Sequence, residues 1–158
     1  MTAQPKSKTE ETACPVPRAP GGLWFEVSLR RGEEVVFLLD DVEAVMTQLG
    51  YPTRDAVGLR LALEEGIVNG LRHGNGGDPA KRVRVCYRVG AADVLVGVAD
   101  EGPGFDPAAV PDPTASENLE KPSGRGLLLM RHYSTWLRYH GRGNRVTLYK
   151  RRTGRLRR

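Results

Sequence analysis

Three polar residues, Glu65, Asn69 and His73, recur every four positions in Leu-Arg-Leu-Ala-Leu-Glu-Glu-Gly-Ile-Val-Asn-Gly-Leu-Arg-His-Gly-Asn at 59–75. At helical spacing they form a single stripe. The surrounding residues are good helix formers, with apolar side chains at 59, 63 and 67 and again at 61, 68 and 71. Apolar surface on more than one face predicts a largely buried helix. A carboxylate and an amide in such a helix are costly unless something occupies their lone pairs. One occupant is a packed hydrogen-bond partner; another is a metal ion carrying a polyphosphate. Glu64 points about 100° away round the helix and reads as a surface or structural group.

Two glycine-bearing signals follow. Val-Ala-Asp-Glu-Gly-Pro-Gly-Phe at 98–105 ends a strand-like run with an acid and two glycines, and Ser-Gly-Arg-Gly-Leu-Leu-Leu-Met at 123–130 opens a helix with two more. In this order, the Glu-x-x-x-Asn helix, the Asp-x-Gly-x-Gly turn and the Gly-x-Gly helix start resemble the asparagine box and the two glycine boxes of the GHKL ATPases. That superfamily includes gyrase, heat-shock chaperones and histidine kinases. The short one-domain form is similar to the anti-sigma-factor serine/threonine kinase branch. The resemblance covers roughly residues 24–151.

The resemblance implies ATP with Mg²⁺, and assigns roles to residues. Asn69 would offer an amide oxygen to the metal, a hard cation that takes oxygen ligands. Glu65 stands at the general-base position. Asp100 would accept a hydrogen bond from the adenine exocyclic amine, a contact that discriminates against guanine; on its own it reads rather as an ordinary strand-ending turn acid. Gly102 and Gly104 would let the backbone approach the ligand, with Phe105 anchoring a lid or packing on the base. Gly124 and Gly126 leave free N–H groups at a helix start, an anion site, with Ser123 placed as N-cap. Arg125 and Lys121 either add charge over the phosphates or are solvated. Asn75 is a further ligand contact, and His73 matches a His-Gly pair of the family, for binding, packing or capping. The chain departs from the pattern at Pro122, where kinase members often carry arginine, and at Gly143-Asn144, where the family commonly has Gly-Thr. Asn144 can still hydrogen-bond; the missing arginine bears on kinase activity more than on ATP binding.

The elements that must position these residues follow from periodicity. Residues 23–29 alternate as a strand, and 33–49 carry apolar residues at helical spacing, ended by Gly50. The stripe helix runs from Thr53 or Asp55 to His73. Strands are expected at 82–89 and 94–99 around a hairpin, then an irregular Pro-rich segment to Ser123, whose length reads as either functional, as an ATP lid, or disordered. A helix at 124–133 and a final hairpin of 135–140 with 145–150 complete the order. The fold class is α+β: a two-layer sandwich with helices on one face of a mixed, mostly antiparallel sheet.

Residues 1–22, rich in Pro and Gly, read as a disordered leader, 23–151 as the ATP-binding domain and 152–158 as a basic tail. The formal charge is +5, but six basic residues lie at 150–158, so residues 1–149 hold 18 basic and 19 acidic groups. That argues against a folded basic face for nucleic acid. No run approaches a membrane span, no secretion signal is evident, and Cys14 and Cys86 suggest no disulfide framework, suiting a reducing cytoplasm. By resemblance, the partners are a sigma factor and a small antagonist with an STAS-type fold, with a homodimer formed through the sheet and first helix. The expected function is an ATP-Mg-binding anti-sigma kinase. The alternative is a non-catalytic module using ATP to set its shape; a histidine-kinase catalytic domain is disfavoured for want of a preceding phosphoacceptor helix pair.

Overall fold

The computed structural model describes residue 16, residues 23–110 and residues 125–154. The described residues form five strands, β1 (Phe25–Leu29), β2 (Val83–Val89), β3 (Asp93–Ala99), β4 (Trp136–His140) and β5 (Arg145–Arg151), and three α-helices, α1 (Gly32–Gln48), α2 (Thr53–Asn69) and α3 (Arg125–Tyr133). The strands lie in the order β1-β2-β3-β5-β4. Every pairing is antiparallel, so the sheet is not mixed. β2–β3 and β4–β5 are hairpins, α1 and α2 lie between the antiparallel neighbours β1 and β2, and β3 and β4 run in the same direction on either side of β5.

Alternation along the strands sets one face. Val27, Val85, Val98, Val146 and Tyr139 stand in one row across all five strands. This side meets Leu59, Leu63 and Ile67 of α2, Leu38, Leu39, Val42 and Met46 of α1 and Met130 of α3 in one core. Each large apolar side chain buried there contributes about 1.5–3 kcal/mol. Helix α2 is in the middle, where close packing needs small residues. A Cβ at Gly58 would strike the Tyr133 ring of α3, and one at Gly66 would touch Met130 Cε at 3.4 Å. The second apolar face expected of α2 is only partly used, since Leu61 is 37% exposed. Helix α1 starts with the Glu34 carboxylate accepting N–H bonds from Arg30 (2.6 Å) and Arg31 (3.1 Å).

The fold continues past residue 151. Arg152 donates to the carbonyls of Leu49 (2.8 Å), Ala91 (3.3 Å) and Gly50, closing the C-terminal end of α1, while its guanidinium covers the Tyr51 ring. Thr153 donates its N–H to the fully buried Asp55 carboxylate at 2.7 Å. Residues 152 and 153, read from sequence as the start of a tail, are therefore structural. Cys86, on the face of β2 away from the helices, is disulfide-bonded, which corrects the expectation of no disulfide. Sequence spacing does not report which sulfurs a fold brings together; Cys14 lies outside the described residues.

Candidate functional site

Glu65 and Asn69 are one turn apart on α2, and both are half-buried because their face looks into a cleft rather than into the core. The expected stripe ends there. After Asn69 the chain widens into a π-helical turn, Gly70–Gly74, closed by Asn75 N–H donating to the Gly70 carbonyl at 2.7 Å. The cause is tertiary. A Cβ at Gly70 would come within 3.0 Å of Val83, and one at Gly74 would collide with the Asp100 carboxylate, so this backbone is pressed onto the end of the sheet. π-turns inside helices frequently mark functional sites. The wider turn swings His73 off the Glu65–Asn69 line, leaving it exposed on the cleft rim.

Asp100 follows β3. Its Oδ1 accepts the Gly102 N–H at 2.8 Å. Burial raises its carboxyl above the usual carboxylate range, against the opposing pull of the Gly102 bond, Arg142 and Lys81. Two backbone-to-backbone approaches hold the following turn. Gly104 and Gly143 both have left-handed φ (+82° and +89°), and a Cβ on either would strike a carbonyl, of Arg142 and Phe105 respectively. Any other residue would be strained at both positions. Asn144 ties the two turns together: its carbonyl accepts the Asp100 N–H at 3.0 Å and its Nδ2 donates to the Asp100 carbonyl at 3.1 Å.

The third signal meets the first. At the start of α3, a Cβ on Gly126 would strike Glu65 Oε2 and come within 3.4 Å of Asn69 Nδ2. Glycine thus brings the N–H groups of a helix terminus, which have no intrahelical acceptors, against the polar pair of α2. The result is a cleft of about 460 Å³ with Glu65, Asn69, His73, Asp100, Gly104, Phe105, Gly126 and Asn144 on its walls. That lies within the usual range for small-molecule sites.

Other expected residues are elsewhere. Asn75 is buried behind the wall, where its Oδ1 accepts the Glu101 N–H at 2.8 Å. It positions the Asp100 turn and does not line the cleft. Gly102 is also behind the wall, its carbonyl accepting from Arg142 Nη2 at 3.0 Å. Arg125 is exposed just outside the lining. Ser123 and Gly124, with Lys121 and Pro122, lie outside the described residues.

The cleft also has walls that the motifs did not single out: Arg72, Val68, Val98, Met130 and Tyr139. Arg72 had a readable signal, three residues beyond Asn69. Tyr139 had only the alternation of a short strand.

A family model described as a histidine kinase-like ATPase domain matches residues 30–150. The chain belongs to this family. Its fold, with helices on one side of an antiparallel sheet, is the one expected of a histidine kinase-like ATPase domain, and membership implies ATP binding. No curated protein matches the chain. No helix among the described residues is long and apolar enough to cross a membrane.

The donor set of this ATPase domain suits Mg²⁺ better than a protein-caged metal. Among the described residues no group of three His, Cys, Asp or Glu could hold an ion. The amide oxygen of Asn69 beside the Glu65 carboxylate fits a cation that takes one or two protein ligands and completes its shell with phosphates and waters.

Proposed function

We propose that this protein is an anti-sigma regulatory kinase: it binds ATP with Mg²⁺, silences a sigma factor, and phosphorylates a serine or threonine of an STAS-type antagonist. The observation that carries the reading is the contact of Gly126 with Glu65 and Asn69, with Asp100 lining the same cleft. A base-recognising carboxylate and a phosphate-binding helix start thereby face one nucleotide-sized space.

In this reading the adenine amine donates to Asp100, and the phosphates run towards the start of α3. Asn69 would hold Mg²⁺, which when bound neutralises charge on the phosphate oxygens. Glu65 takes the proton from the attacking hydroxyl. The hydroxyl oxygen bonds to the γ-phosphorus, the bond to the β–γ bridging oxygen breaks, and ADP leaves. Most of the acceleration comes from positioning and electrostatics.

A homodimer belongs to the same proposal. It is supported by β1 at the sheet edge and by Phe25 and Phe37 of β1 and α1, which are 41% and 73% exposed. The test mixes the purified protein, Mg-ATP labelled on the γ-phosphate and candidate STAS-domain proteins. Label on a partner serine or threonine supports the kinase. Pro122, where an arginine is common, motivates the second reading. No transfer to any STAS partner, with ATP still changing affinity for a sigma factor, would establish a binding module instead.

A further inference from the structure

Tyr139 is the one polar side chain of the cleft that no motif accounts for on the helix-facing side of β4. It ends the row Val27–Val85–Val98–Val146, so alternation turns its ring inward, onto the cleft wall. The ring meets Phe105 edge to face with centroids 5.1 Å apart, which ties its plane to the turn that follows Asp100. Tyrosine hydroxyls in partly buried positions ordinarily find a hydrogen-bond partner. Among the described residues none bonds to Tyr139 Oη. Burial, with a smaller push from the Asp100 charge and against the pull of Arg131, raises the phenol to about 12. The hydroxyl is therefore protonated at any physiological pH and remains available as a donor.

Asp100 is an acceptor on the neighbouring wall, close enough for its charge to be felt at the phenol. An acceptor and a donor lining one cleft match the edges of adenine, where the exocyclic amine donates and the adjacent ring nitrogens, N1 on one edge and N7 on the other, accept. We infer that Tyr139 is a specificity-determining residue of the base pocket, its hydroxyl donating to a ring nitrogen of the purine whose amine donates to Asp100. The inference rests on the nucleotide reading of the cleft. It adds a donor from β4 to the acceptor that Asp100 supplies.

The experiment is calorimetric titration of the full chain and of Tyr139→Phe with ATP, 1-deaza-ATP and 7-deaza-ATP. Phenylalanine keeps the ring against Phe105, and melting without ligand checks that the fold is retained. The unmodified protein should bind one of the two deaza analogues about 10-fold more weakly than ATP, the value of one hydrogen bond. Tyr139→Phe should bind ATP about 10-fold more weakly and bind that analogue no worse than ATP. Wild-type binding that is indifferent to both analogues, or a Tyr139→Phe variant with unchanged ATP affinity, overturns the role of Tyr139 while leaving the nucleotide site standing. Absence of any ATP binding by the unmodified chain overturns both.

Discussion

Asp100→Asn should weaken ATP binding and stabilise the empty protein at the same time. The Gly102 N–H donates to Oδ1, so the substituted amide keeps its oxygen there and turns its NH₂ to the place of Oδ2. A donor then faces the donor amine of the base. A hydrogen bond to a charged group is worth about 1.5–3 kcal/mol, and at about 2 kcal/mol the Kd rises about 30-fold. With ATP at about 100 times the wild-type Kd, the ligand's contribution to stability falls from about 2.7 to about 0.9 kcal/mol. The corresponding shift in melting temperature shrinks from about 5–11 °C to about 2–4 °C.

Without ATP the sign reverses. Burial holds the Asp100 carboxyl above its ordinary value, so the folded state disfavours the ionised form. That group's favourable contribution is present below its unfolded pKa, is lost as pH rises through the raised folded value, and stays lost at neutral pH. The uncharged amide escapes this cost. Thermal melts with and without Mg-ATP, from acid to neutral pH, read both effects. The empty variant should melt above wild type at neutral pH, and its advantage should shrink on acidification. A variant that melts lower without ligand, or keeps the full ATP shift, refutes the reasoning.

Three other changes probe the rest. Asp55→Ala removes the carboxylate bound by Thr153 and paired with Lys150 Nζ at 3.3 Å, where the lysine side chain is only 12% exposed. Leaving that charge uncompensated should cost about 3–5 kcal/mol in urea denaturation; a loss below about 1 kcal/mol would show that water replaces the carboxylate. Gly126→Ala puts a Cβ onto Glu65. Since alanine favours a helix by about 1 kcal/mol over glycine, the empty protein should keep its melting temperature while calorimetry shows weaker ATP binding, and unchanged affinity would detach the start of α3 from the phosphates. Glu65→Gln should reduce phosphate transfer by about 10²–10⁴-fold, typical of a positioned base, with ATP affinity nearly unchanged; a rate close to wild type would remove Glu65 from the chemistry.

Local periodicity carried much of this protein in its sequence. The spacing of Leu59, Leu63 and Ile67 specified the core side of α2, and the Glu65–Asn69 interval put both side chains over one turn. Period-two alternation marked Val83 and Val85, and a continuous apolar run marked residues 94–99, as strand residues before any partner strand was known. These features depend on neighbours within a few residues, which the chain spells out directly.

Other features depend on surfaces that meet only in the folded state. The π-turn at Gly70–Gly74 exists because Val83 and Asp100 press on it, and it moves His73 off the stripe. Asn75 looks like a ligand residue but turns to the Glu101 N–H behind the wall. Tyr139 reaches the cleft through its register with Val146, and Arg152 becomes structural because α1 ends where the chain passes it. In each case the deciding contact joins distant parts of the chain. Burial, steric exclusion and hydrogen-bond satisfaction are settled there by whichever groups the packed layers bring together.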